Sequence, residues 1–228
     1  QSTESAPSDL LTPEHVARLA SVGAAAISPD GTHVAFTRSV PRTLFEGEDG
    51  APWTELHVIE LATGVERPFI TGEVSVRAVA WTHDGQGIAF LDKRKGDEET
   101  ALYVIPLRGG EARKALELEK RAVGAYSLAP DGKRVAVRAT APKGERDLKY
   151  EKQGFKQEIY EEDWRPDELW IAPLFDAEAE PRKVELEGSV YQVEWSPQGE
   201  RIAVAIAPTA LVDDSYMRQR VWIADAGS

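Results

Sequence analysis

The stretch Val190-Tyr-Gln-Val193-Glu-Trp195-Ser196-Pro197-Gln198-Gly199-Glu-Arg-Ile202-Ala203-Val204 decides the fold. Apolar residues alternate on both sides of a Ser-Pro-x-Gly turn, the pattern of a β-hairpin. Proline presets φ at the first turn position, Asp or Gln bonds back to the local backbone, and glycine takes the φ > 0 position that closes the turn. Further towards the amino terminus the same arrangement is written three more times. It runs from Val123 to Val137 around Ala129-Pro130-Asp131-Gly132, from Val76 to Phe90 around Thr82-His83-Asp84-Gly85, and from Val22 to Phe36 around Ser28-Pro29-Asp30-Gly31.

The turn glycines stand about fifty to seventy residues apart, a period that belongs to stacked supersecondary units. Behind each hairpin comes a third apolar run: Glu55 to Leu61, Ala101 to Leu107, Glu168 to Leu174 and Arg220 to Asp225. A turn follows, clearest at Ala62-Thr63-Gly64 and Arg108-Gly109-Gly110, and then a fourth short run such as Glu66-Arg67-Pro68-Phe69-Ile70. Four antiparallel strands per repeat predict an all-β fold of β-propeller blades, three complete and most of a fourth. The expected organisation is a tail over 1–10, a short helix over 11–21, and blades over 22–75, 76–122 and 123–189. The third blade carries a long insertion at 140–167, and 190–228 is an incomplete fourth.

A chain of 228 residues can bury a full core, and the continuous repeat argues for one array. No run of 18 or more apolar residues occurs, so a soluble chain without a membrane-spanning helix is expected. The 39 acids against 27 bases, a net charge of −12, argue against a nucleic-acid partner, which would ask for a basic face. With no cysteine, disulfides, thiolate nucleophiles and Cys-based zinc sites are excluded. The opening Gln1 to Asp9, small, polar and without an initiator Met, reads as the start of a chain trimmed after export, which points to the periplasm or a secreted protein, with the cytoplasm as the alternative.

Thr12-Pro13-Glu14-His15-Val16-Ala17-Arg18-Leu19 predicts a helix with Thr12 as N-cap, Pro13 in the first helical position and Leu11, Val16 and Leu19 packed on the edge of the first blade. Leu11-Thr12-Pro13-Glu14, followed by Val22 and by Ile27-Ser28-Pro29-Asp30-Gly31-Thr-His-Val34-Ala35-Phe36, resembles the opening of the prolyl oligopeptidase-family (S9) serine peptidases, in their acylaminoacyl- and dipeptidyl-peptidase branches. The resemblance runs from Leu10 to Asp225, and TolB-like propellers share its turn motif. It implies a propeller of seven or eight blades that screens short peptide substrates for a separate α/β-hydrolase domain holding a Ser-Asp-His triad, with no cofactor. No Gly-x-Ser-x-Gly elbow occurs in this sequence, and Ser75 and Ser189 lack its flanking glycines. The chain is therefore expected to be non-catalytic by itself, ending one strand short of a full fourth blade. The expected partners are the peptide substrate, a carboxy-terminal hydrolase domain or the remaining blades, and a second copy pairing through the open blade edge. A TolB-like binding module without enzymatic activity is the alternative.

All four long insertions, at about 38–54, 92–100, 140–167 and 207–219, fall between the second and third strands of a repeat, so they are expected to crowd one face of the ring. The longest contains Tyr160-Glu161-Glu162-Asp163-Trp164, three carboxylates between two aromatics. By the resemblance to the dipeptidyl branch, Glu161 and Glu162 are similar to a glutamate pair that grips the free amino terminus of a peptide, with Trp164 beside them. The same residues also read as solvated charges on a loop anchored by Tyr160 and Trp164. Glu46-Gly47-Glu48-Asp49-Gly50 lacks the alternating ligand spacing of a calcium loop, and His15, His33, His57 and His83 have no partner at metal-ligand spacing, so no metal site is expected. Trp81 and Trp195 share one repeat position and read as packing between blades. Trp170 and Trp222 are matched to Val58 and Val104 of the third strands, and Trp53 and Trp164 stand outside the repeats as candidates for partner contact.

Overall fold

The computed structural model describes residues 10–43, 48–155, 161, 164–176 and 178–227. A one-turn helix α1 (Pro13–Ala17) precedes the first sheet, made of β1 (Ser21–Ile27), β2 (His33–Val40), β3 (Trp53–Glu60) and β4 (Val65–Ile70). The second sheet is β5 (Arg77–Trp81), β6 (Gly87–Asp92), β7 (Ala101–Pro106) and β8 (Arg113–Leu116). The third comprises β9 (Val123–Leu128), β10 (Arg134–Thr140), β11 (Asp167–Pro173) and β12 (Arg182–Val184), with α2 (Glu145–Lys152) between its second and third strands. In the fourth, β13 (Ser189–Trp195), β14 (Arg201–Ala207) and β15 (Arg220–Asp225) form three strands, with α3 (Val212–Met217) again in the loop before the third. Each sheet is an antiparallel meander in chain order, so the all-β propeller architecture expected from the repeats is the one observed.

The hairpin turns form as their residues require. The N–H groups of Gly31, Gly85, Gly132 and Gly199 each donate at 2.9 Å to the carbonyl three residues back, with φ between 66° and 76°, a region in which a side chain is disfavoured. Asp30 tightens the first turn by accepting from Ser28 Oγ at 2.6 Å and from Thr32 N at 3.0 Å, which holds its carboxyl down at about 2.

Alternation then distributes each strand between two neighbours. Ile88 and Phe90 of β6 pack back on Ala35, Leu56 and Val58 of the first sheet, while Ala89 and Leu91 pack forward on Val123, Val135 and Val137 of the third. Leu169, Ile171 and Val184 meet Val193, Trp195, Ile202 and Val204 in a third interface. Trp81 and Trp195 are buried between sheets, as their shared repeat position indicates, and Trp81 Nε1 donates to the Ala26 carbonyl across the interface at 2.8 Å.

Three expectations need correction. First, α1 is capped by Thr12, whose Oγ1 accepts from His15 N, but Leu11, Val16 and Leu19 stay exposed and the helix buries no residue. A single turn cannot carry all three onto one packing face. Second, the strand registers pair Trp170 with Val137, Trp222 with Val204, Tyr103 with Phe90 and His57 with Phe36. Trp170 and Trp222 therefore stand where His57 and Tyr103 stand, one residue away from the match to Val58 and Val104, and a shift of one residue moves a side chain to the opposite face. Third, Trp53 is not a loop residue: it opens β3 opposite Val40, and the Arg42 guanidinium lies 4.1 Å from its ring centre. No described helix is long and apolar enough to cross a membrane.

Candidate functional site

Backbone bonds assign the loops to faces. Thr54, at the start of β3, donates to the Val74 carbonyl and accepts from Val76 N, and so lies beside the connector to the second sheet. Val123 N reaches the Thr100 carbonyl at 3.0 Å, and Asp167 N donates to Ser189 Oγ at 3.0 Å, so the later connectors sit equally close to the second-to-third-strand loops. On the opposite face Leu61, Leu107, Leu174 and Ala226 donate to Thr32, Gln86, Lys133 and Glu200 of the hairpin turns. Those turns stack from sheet to sheet, Pro29 against Gly85 and Pro130 against Gly199. All four long loops, 41–52, 93–100, 141–166 and 208–219, therefore share one face.

The loops are tied down by charge. In the second, Asp97 is the hub: its carboxylate accepts from Tyr103 Oη at 2.6 Å and from Arg94 N at 2.8 Å, and pairs with Lys114 Nζ at 2.7 Å. Burial pushes Asp97 up, but the hydrogen bonds from Lys114 and Tyr103 outweigh it and the carboxyl stays below its ordinary value. Burial and then the Asp97 carboxylate push Tyr103 up. In the third sheet the ring at the same repeat position, Trp170, donates to Glu168 Oε2 at 3.1 Å. Glu168 also pairs with Lys183 at 3.1 Å and Arg121 at 3.2 Å, and the Arg121 guanidinium covers the Trp170 face at 4.8 Å. Lys114 and Lys183 are themselves equivalent, since each stands opposite the ring on the fourth strand. His57 takes this place in the first sheet, with Nε2 3.1 Å from Glu55 and Nδ1 2.8 Å from Glu66. The ring position thus recurs in all three sheets, while its partners vary: the carboxylate two residues before it is shared by His57 and Trp170, and the lysine opposite it by Tyr103 and Trp170.

Between the third and fourth sheets, Thr140 Oγ1 donates to Asp167 Oδ1 at 2.6 Å, and Arg138 donates to the Tyr191 carbonyl at 3.0 Å with its Nε 3.4 Å from Asp167. A Cβ on Gly124 would stand 2.7 Å from the Arg138 guanidinium, so the glycine makes room for it. Tyr191 Oη donates to the Thr209 carbonyl and Thr209 Oγ1 to Asp214, which anchors the loop around α3. Burial, then the charges of Asp167 and Asp214, raise the Tyr191 hydroxyl.

Of the residues singled out in the sequence, Glu161 is exposed and holds a left-handed backbone at φ 61°, and Trp164 is 39% exposed in the same loop. No contact between them is recorded among the described residues. Glu162 lies outside the described residues, as do Tyr160, Asp163, Glu46 and Gly47. Among the described residues no group of three or more His, Asp or Glu side chains is placed to hold a metal ion.

Three antiparallel four-stranded sheets and a three-stranded fourth among the described residues, with their long loops on one face, define the blades of a β-propeller. No family model matches the chain. It is 30% identical over 136 residues to the uncharacterized peptidase YuxL of Bacillus subtilis, a match that covers 60% of this chain and 20% of that protein. Among solved structures, the acylaminoacyl peptidase of Pyrococcus horikoshii superposes with a TM-score of 0.63 at 15% identity, over 91% of this chain and 31% of that one. TolB from Acinetobacter baumannii superposes with a TM-score of 0.57 at 15% identity, over 91% of this chain and 42% of that one. The chain thus spans a fifth of its sequence relative and less than half of these structural neighbours. The structural likenesses show a β-propeller fold, and the sequence match adds a peptidase relative over 136 residues.

Proposed function

We propose that the chain is the non-catalytic propeller part of an S9-type serine peptidase, acting in the periplasm or outside the cell, which admits and positions short peptides for a separate α/β-hydrolase domain. The sequence match to a peptidase over 136 residues carries this reading. In it, the hydrolase domain supplies an acyl-enzyme mechanism in which a serine attacks, a histidine takes its proton and backbone N–H groups hold the oxyanion. The propeller contributes a size filter, and Glu161 and Glu162 offer carboxylates to a peptide ammonium beside the Trp164 ring, a charge-assisted contact. The remaining blades, or a second copy, cover the open faces of the array.

The test is fluorophosphonate labelling of the protein from its native source, followed by separation on a denaturing gel and tryptic mapping. A labelled band larger than this chain that contains the peptide around Val221-Trp222-Ile223 is the expected result. In that enzyme, Glu161→Gln with Glu162→Gln should raise KM for peptides with a free amino terminus while leaving blocked peptides unchanged. Peptides of this chain found only in unlabelled protein would instead favour a binding module, the reading supported by the superposition on TolB.

A further inference from the structure

A groove of about 670 Å³ runs along the outer edge of the second blade. Its floor is the continuous backbone from Lys114 to Glu119, that is, β8 and the start of the connector behind it. Gly96 and Glu98 of the second long loop close one end, and Phe175 of the turn after β11 closes the other. The volume lies within the ~300–1,000 Å³ of ordinary ligand sites, and the four residues of β8 span roughly 13 Å before the chain turns at Glu119 and Lys120.

Two features define what fits. The first is the backbone. The second sheet ends at β8, so its outer edge has no strand partner among the described residues. One outward group is already in use: Phe175, held at φ 61°, donates its N–H to the Ala115 carbonyl at 3.0 Å. Glu117 follows directly on β8, and its backbone groups have no backbone partner among the described residues. The second feature is the side chains. Ala115, Leu116 and Leu118 give a buried apolar floor, while Glu98, Glu117, Glu119 and Asp176 stand exposed around it. The one lysine in the lining, Lys114, is held by Asp97 at 2.7 Å and Glu117 at 2.6 Å.

We propose that this groove docks an extended basic peptide, which pairs as a strand with the outer edge of β8 and sets its Lys or Arg side chains against Glu98 and Glu119. Backbone pairing supplies the register and carboxylates on both sides select for positive charge. A basic segment of a protein partner has this chemistry.

Fluorescence anisotropy of a labelled Lys-Val-Lys-Val-Lys-Val peptide against the whole chain provides the test. Saturable binding is expected, and Glu98→Lys with Glu119→Lys should weaken it about tenfold or more. Glu73→Lys with Glu187→Lys, which makes the same change in net charge on other connectors, should leave it within about twofold. A peptide N-methylated at alternate residues, unable to donate to the edge, should lose binding to a similar extent as the groove variant. Absence of binding by the basic peptide, equal binding of a Glu-Val-Glu-Val-Glu-Val peptide, or equal loss in both double variants would overturn the site. Full binding by the N-methylated peptide would overturn the strand pairing. All four substituted residues are exposed, and circular dichroism of each variant confirms that it folds.

Discussion

The second and fourth sheets are built from the same sequence pattern and end in opposite states. In the second, β6 is buried at all six positions because the first sheet covers one face and the third covers the other. In the fourth, Val221, Trp222 and Ile223 of β15 are 73%, 61% and 63% exposed, because among the described residues no fourth strand lies beside β15 and no further sheet covers the face turned away from the third. The first sheet shows the same exposure at the other end of the array, with Val22 and Ile27 of β1 open. Alternating apolar residues make a strand that can be buried twice, but only a neighbouring blade makes the burial happen. Stability in such an array resides in the interfaces between repeats.

The largest expected effect therefore belongs to the doubly covered blade. Phe90 is fully buried and stacks on Tyr103 with ring centres 5.8 Å apart. Phe90→Ala should cost about 3–5 kcal/mol, through lost transfer energy and the cavity left behind. Ile223→Ala, at an exposed site, should change stability by less than about 0.5 kcal/mol in this chain. Chemical denaturation of the two variants checks the contrast. If the rest of a ring covers β15 in a longer protein, Ile223→Ala there should approach the cost seen at buried positions.

The polar sets sharpen the same comparison at smaller magnitude. Tyr103→Phe leaves Asp97, whose side chain is only 4% exposed, without its 2.6 Å donor and should cost about 1–3 kcal/mol. Trp170→Phe should cost less, about 0.5–1.5 kcal/mol from the hydrogen bond, because Glu168 keeps both Arg121 and Lys183. Equal losses in the two denaturation curves would mean that the cations do not compensate.

How much of this was legible followed from the length scale of each signal. Turn residues act within four positions, so Ser28-Pro29-Asp30-Gly31 and its three relatives could be read directly, and with them the blades and the common face of the long loops. The partners of Trp170 and Tyr103 could not be read. Lys183 and Lys114 reach them across a strand pair, and Arg121 comes from the connector between blades. Trp170 stands one residue away from the position its apolar run suggests, which in a strand is enough to exchange a core face for the other. Leu11, Val16 and Leu19 are spaced like a packing stripe, but a helix of five residues is too short to present one. The groove beside β8 left no mark in local sequence, since Phe175 arrives there from the next blade.

The smallest expected effect is at the turns, where the first blade again differs from those inside. Asp30 is fully exposed and its carboxyl is held down at about 2 by Ser28 first, then by the Thr32 amide and hydroxyl. A carboxyl depressed on folding favours the native state above its unfolded value and loses that contribution as pH falls towards the folded one. For Asp30 the window runs from about pH 4 to about pH 2. Asp131 is also held below its ordinary value, but there burial opposes the hydrogen bonds from Lys133 and Arg134. Asp30→Asn should therefore flatten the acid limb over that window by slightly lowering stability at neutral pH, towards the value the parent chain has near pH 2, because the amide oxygen can still accept from the Thr32 N–H but carries no charge. Thermal melts of the variant and the parent chain between pH 2 and pH 7 decide it, and an unaltered acid limb would show that the first turn contributes nothing to acid sensitivity.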